Sequence, residues 1–355
     1  MSIDKEAEVR GMYQQLGTWY GYPYTPVQRL NPPIPAGENL RRYMMGEDYE
    51  WVPDVCADLI DVTPECIPDV VACGFGGGLD AFGVKWIPDT NAEDLPSFVE
   101  PGFTVLHDIT KWREELRFPD VDSWDWAACG KKYREFYADD DRMLRGIILS
   151  GFFERLISLM GFQNAALSLI MEPEEVAALF DALADVNCKI IDHYVDDFGC
   201  GQVMLHDDWS AQRAPFFSLD TAMDLLVAPM KKVIDHAHER GIIFTHHSCG
   251  NAVDLIPAMI AEGADAWQGQ VDSFDLDDAL AAAGDNLVLE IYPLAPDDIA
   301  IGEVDEFVRK ELAPAFARRF LCEIYDYDPD RCFETRRAAY RVGREMAIQA
   351  KAAIK

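Results

Sequence analysis

The sequence predicts one α/β domain, a (β/α)8 TIM barrel with an N-terminal extension, and three observations predict it. From residue 140 onward, short apolar runs alternate with longer stretches of helical periodicity, the pattern of parallel βαβ units. The length of 355 residues falls within the span of such barrels. No composition shift, internal repeat or low-complexity tract marks a second domain. Residues 1–50 are expected to form an arm and helices that pack on the barrel, and residues 51–355 the barrel itself.

The elements follow in order. Helical stretches near 5–16 and 37–46 flank the Pro-rich run YGYPYTPVQRLNPPIPAG, whose Pro32, Pro33 and Pro35 exclude a helix or a central strand. Between 51 and 139 the pattern is weaker. Strands are expected at Val52–Ile60 and Gly83–Ile87, with GFGGG as a mobile loop between them. Arg145–Ser150 is a strand ending at Gly151, followed by helices over 154–168 and 173–197, the second begun by Pro173. Gln202–Leu205 is the next strand and runs into His206-Asp207-Asp208. A helix at 219–239 precedes the strand Ile242–Thr245, and helix 251–262 precedes Ala266–Val271. Helix 275–283, strand Leu287–Ile291, helix 303–318, strand Arg319–Ile324 and a long helix at 329–353 complete the pattern.

Composition narrows the function classes. Apolar residues make up 49%, enough for a large core, and no run of eighteen apolar residues suggests a membrane span. The polar N-terminus lacks a signal-peptide core, so the expected location is the cytosol. A net charge of −32 disfavours nucleic acid and anionic lipid as partners. Nine cysteines, an odd number without an export signal, do not read as a disulfide framework.

In a parallel barrel, chemistry sits where strands end and βα loops begin. The richest such junction is Thr245-His246-His247-Ser248-Cys249-Gly250-Asn251. His247 and Cys249 point the same way along an extended chain, as two ligands of a tetrahedral zinc ion would. Cys322, at the end of a later strand, is the preferred third ligand, and Cys332 is its rival. A structural reading of the same residues is a buried His beside a packed Cys. The second cluster, His206-Asp207-Asp208, offers acid and base groups or a grip on a substrate hydroxyl. Glu290, in the apolar run LVLEIY, must be paired or functional, with metal ligation as one of its roles. Asp80 and Trp86 could form another wall of the pocket, and Trp267 and Tyr292 an aromatic lining. No phosphate loop, G-x-S-x-G elbow or H-E-x-x-H is present.

Several runs resemble one family. They are Glu38-Asn39-Leu40-Arg41-Arg42, Asp80-Ala81-Phe82-Gly83-Val84-Lys85-Trp86, Phe152-Phe153-Glu154-Arg155, Asp207-Asp208-Trp209 and His247-Ser248-Cys249-Gly250-Asn251. Together they resemble the uroporphyrinogen decarboxylase superfamily over most of the chain. The R-Q-A-G-R-Y segment of the true decarboxylases is missing, so the resemblance is to the corrinoid-linked zinc methyltransferases. It implies a zinc site of His247, Cys249 and Cys322. It also implies methyl transfer between a small substrate, such as an aryl methyl ether or a methylamine, and cobalamin on a separate corrinoid protein. A metal-free decarboxylase, using Asp80 or Asp207 as a lone acid, and a non-catalytic binding barrel are the alternatives. A homodimer is left open.

Overall fold

The computed structural model describes residues 2–16, 26–88, 97–294, 299–313, 319–324 and 328–353. After the N-terminal arm, α1 (Ala36–Met44) leads to β1 (Leu59–Val62). A long connection ends in α2 (Trp126–Phe136) and β2 (Met143–Ile148). Next come α3 (Phe153–Met160), α4 (Phe162–Met171), α5 (Pro173–His193) and β3 (Gln202–His206). Then α6 (Leu219–Leu225) and α7 (Val227–Glu239) precede β4 (Ile243–Ser248), and α8 (Ile256–Glu262) precedes β5 (Ala266–Gly269). The chain finishes with α9 (Leu276–Ala283), β6 (Val288–Leu294), α10 (Val304–Leu312), β7 (Phe320–Ile324) and α11 (Pro329–Ala353).

The seven strands form one curled sheet in sequence order, every neighbouring pair parallel, so the expected TIM-barrel-like α/β fold is what the chain adopts. Between β7 and β1 the eighth place is taken by a short bridge. Asp54 pairs with Cys322, whose amide donates to the Pro53 carbonyl at 2.9 Å. Strand residues are buried almost without interruption because helices cover the outer face while side chains fill the interior. No helix among the described residues is long and apolar enough to cross a membrane.

Several sequence expectations shift for physical reasons. The helix expected over 5–16 shrinks to Ile3–Glu6, and Gly11–Met12 instead pairs antiparallel with Gln28–Arg29. Tertiary contacts hold that arrangement: the Tyr13 hydroxyl donates to Asp141, and Arg142 donates to the Gln14 carbonyl. The strand expected at Val52–Ile60 is interrupted by a helical turn at Val55–Asp58. Lys85–Ile87 is a strand, but it lies outside the barrel in an antiparallel sheet with Gly78–Leu79 and Phe98–Val99. Most of GFGGG belongs to the helical turn Ala72–Gly76 and the strand that follows. The helix expected over 219–239 breaks at Leu226. Pro229 lacks an N–H and its ring crowds the carbonyl of Leu225, so a continuous helix cannot pass. The start of the Pro-rich run (residues 20–25) and the end of the helix expected over 303–318 lie outside the described residues.

Asp58, on the turn before β1, is buried and accepts the Asp54 amide at 2.8 Å. Burial, with Asp54 and Asp141 adding negative potential, pushes its carboxyl up from 3.8 to about 8. The folded state therefore holds this proton more tightly than the unfolded chain. Its contribution is complete below the unfolded value and is lost as pH rises through about 8. Asp58→Asn keeps the acceptor and should raise stability above that window by about 1 kcal/mol or more. Melting curves across the range would check this, and parallel pH profiles for the two proteins would refute it.

Candidate metal centre

β4 builds the site by alternation. Thr245 and His247 face the barrel interior, while His246 turns outward and its Nδ1 meets Glu262 of α8 at 2.6 Å. Register then sets the neighbours. His206 on β3, His247 on β4, Gln268 on β5 and Glu290 on β6 stand side by side at one level. The His206 and His247 rings stack with centroids 4.1 Å apart. Beyond the strand end, Cys249 stays on the side of His247, with Sγ 3.3 Å from Nε2.

Asp208, in the loop after β3, closes the group. Its Oδ1 lies 3.7 Å from His247 Nε2 and accepts the Cys249 amide at 2.6 Å. Asp208, His247 and Cys249 each present a donor atom within 4.8 Å of the others, a potential metal-binding triad among the described residues. The electrostatics are unusual. Burial, then Asp208 and Glu154, push the Cys249 thiol up to about 12. Burial, then Asp208 and Asp207, raise the Glu154 carboxyl well above its usual range. Glu154 Oε2 and His206 Nε2 are buried without a hydrogen-bond partner. Burial, then His247, Arg145 and His246, drive His206 far below its ordinary value, so its imidazole is neutral.

Beneath the triad lies a polar layer. His247 Nδ1 is 2.7 Å from Gln268 Oε1, and Gln268 Nε2 donates to Glu290 Oε1 at 3.0 Å. Glu290 also accepts from Arg145 and, at 3.0 Å, from Thr245 Oγ1, which itself accepts from Gln202. Arg145 is shared with Asp61 on β1 at 2.6 Å.

The structure gathers some of the expected residues and not others. His247 and Cys249 meet as the spacing predicts, and Asp208 joins them as a donor beside them. Glu290 is not in the triad, because its oxygens are engaged by Arg145, Gln268 and Thr245. Cys322 is not in it either. Leu321 is in register with the inward-facing Glu290, so the next residue points outward, where burial, then the negative charges of Asp54 and Asp58, hold the Cys322 thiol well above its usual value. Cys332 is buried within α11.

Asp207 is fully buried. Its oxygens accept the Glu154 amide and the Trp209 indole N–H, both at 2.9 Å, which anchors the start of α3. Asp80 is likewise engaged, accepting from Arg155 at 2.6 Å and from Trp86 Nε1 at 3.0 Å. Trp267 follows the strand's alternation away from Gln268, out of the interior, and packs on Phe274 at 4.9 Å. The Tyr292 side chain lies outside the described residues. Sequence reasoning assigned no role to Glu154, Gln268 or Arg145. Only the run Phe152-Phe153-Glu154-Arg155 and the polar residues within apolar strands hinted at them.

Residues 147–290 match the family model for uroporphyrinogen decarboxylase (URO-D), which upholds the sequence resemblance over the segment carrying the triad. No curated protein matches the chain. The fold is similar to that of a methyltransferase from Methanosarcina mazei, with a TM-score of 0.57 at 13% identity, covering 86% of this chain and 98% of that one. A sugar phosphate isomerase/epimerase from Parabacteroides distasonis also aligns, at a TM-score of 0.33 and 10% identity, over 60% of this chain and 79% of that one.

Gly250 makes the turn that holds Cys249 in place. Its φ is +75°, and a Cβ there would come within 2.5 Å of the Ala211 carbonyl oxygen. Gly250→Ala should therefore cost about 2 kcal/mol or more in stability and displace Cys249. Denaturant unfolding checks the first effect and the alkylation rate of Cys249 the second. Wild-type values in both would refute the assignment.

Proposed function

We propose that the chain is a zinc-dependent methyltransferase that moves a methyl group between a small methylated substrate and the cobalamin of a separate corrinoid protein. An aryl methyl ether or a methylamine is the expected class of substrate. The observation that carries this reading is the convergence of Asp208, His247 and Cys249 at the strand ends, with donor atoms within 4.8 Å of one another.

The residues present fit zinc. One nitrogen, one sulfur and one oxygen donor supply three ligands of a tetrahedral ion and leave a fourth position open to substrate. A thiolate in the set favours zinc over magnesium or calcium. The charge balance points the same way. Glu154, Asp208 and Cys249 crowd together, and the nearby Arg155 is already bonded to Asp69 and Asp80. A divalent cation would relieve that crowding.

When bound, zinc supplies Lewis-acid polarisation of a leaving heteroatom, or holds a thiol acceptor as its thiolate. The chain's own residues position and shield. His206, neutral and with Nε2 unpartnered beside His247, can hydrogen-bond a substrate heteroatom held at the mouth. Asp207 acts indirectly, fixing α3 and with it Glu154. The metal-free decarboxylase reading draws less support, because its lone acids are occupied: Asp80 by Arg155 and Trp86, Asp207 by the Glu154 amide and Trp209.

Protein purified without chelator should hold about one zinc per chain. His247→Ala and Cys249→Ser should lose it, and methyl transfer from a panel of methoxylated aromatics and methylamines to reduced corrinoid protein should fall to background. Elemental analysis and the visible spectrum of the corrinoid read these outcomes. A zinc-free wild-type protein, or undiminished transfer by His247→Ala, would sink the proposal. Release of CO₂ without a corrinoid partner would establish the decarboxylase instead.

A further inference from the structure

The polar layer under the triad fixes more than the position of His247. An imidazole binds a metal through a nitrogen that carries a lone pair, and the proton must sit on the other nitrogen. Here Nε2 faces Cys249 and Asp208, whereas Nδ1 faces Gln268. A glutamine side chain can turn either end toward its neighbour, so Gln268 alone does not decide which nitrogen is protonated. Glu290 does. Its Oε1 accepts from the Arg145 guanidinium and also takes the Gln268 amide N–H. The reverse orientation would set the amide oxygen against the carboxylate. Gln268 must therefore present Oε1 to His247, and Nδ1 must carry the hydrogen. The lone pair on Nε2 is then directed at the Cys249 sulfur, which can donate its S–H there until a metal takes the proton's place.

We propose that Arg145, Glu290 and Gln268 form a hydrogen-bond relay that locks His247 as the Nδ1–H tautomer and so pre-forms it as a ligand. Gln268 and Glu290 are positioning residues in this scheme. The register of β4, β5 and β6 builds the relay, since His247 pairs with Gln268 and Gln268 with Glu290. Its consequence for metal affinity rests on the triad reading proposed above. The tautomer itself does not, and the test separates the two.

The tautomer is read by ¹⁵N NMR of imidazole-labelled, metal-free protein at mildly alkaline pH, with the His247 signals assigned by their loss in His247→Ala. Wild-type protein should show Nδ1–H. Gln268→Met removes both ends of the amide at similar volume, and Glu290→Gln removes the charge that orients it. Either variant should shift His247 toward the Nε2–H form. Each should weaken zinc binding, measured by chelator competition, by roughly 10- to 100-fold. Circular dichroism identifies a variant that fails to fold, and the wild-type tautomer still decides the proposal in that event. An Nε2–H His247 in wild-type protein overturns the relay whether or not zinc binds. Folded variants with unchanged tautomer and unchanged zinc affinity overturn it too. Nδ1–H in wild type, lost in the variants, with no zinc bound by any of them, sustains the relay and removes the metal reading instead.

Discussion

One guanidinium buried inside the barrel constrains everything above it. Arg145, on β2, is joined to Asp61 on β1 and to Glu290 on β6. A buried charge is tolerable only when paired, and removing one partner of such a pair costs about 3–5 kcal/mol. The three residues therefore hold one another in place, and the polar groups around them have few choices left. Glu290 becomes a fixed acceptor for Gln268 and Thr245, and Gln202 adds its amide to Thr245. A layer drawn from β1 to β6 is thereby connected, and His247 stands at its upper edge. The site is organised from below, by strands, and its loops complete it.

Charge is distributed unevenly among the buried networks. Arg155 is bonded to Asp69 and Asp80, and Arg336 lies 3.4 Å from Asp54. These networks carry their own cations, which is why carboxylates can sit inside them. At the mouth the balance differs. Glu154 and Asp208 face the Cys249 thiol, and the environment opposes ionisation of both Glu154 and Cys249. A group of acids arranged in this way is a poor device for stability and a good receptor for a cation. The chain's net charge of −32 is mostly a surface property, and under the proposed metal reading this small cluster is where acidity acquires a chemical role.

Much of this was legible in the sequence because it depends on periodicity. The strand–helix alternation after residue 140 was readable, and so was the His247-x-Cys249 spacing, since extended chain places alternate residues on one side. The segment before residue 140 was less legible because its structure is set by contacts made across the chain. Tyr13 reaches Asp141, and Arg142 reaches the Gln14 carbonyl, neither of which leaves a local signal. Gln268 escaped notice for a related reason. Its role exists only once β5 lies between β4 and β6 in a particular register, and a glutamine in a strand does not announce that.

The third donor shows the same limit most sharply. Cys322 sits near the end of a strand, as a ligand should, but a strand has two faces and the sequence does not label them. Leu321 takes the inward place opposite Glu290, so Cys322 is turned toward Asp54, Asp58 and the helical layer. The inward position at the mouth is supplied instead from the loop after β3, where Asp208 grips the Cys249 amide and thereby comes within reach of His247. That substitution changes the chemistry as well as the address. A carboxylate in place of a second thiolate makes the donor set harder. Under the zinc reading, such a set suits polarisation of an oxygen or nitrogen leaving group better than a two-thiolate site would. If the proposed activity holds, the outward turn of one cysteine bears on which direction of methyl transfer this donor set would favour.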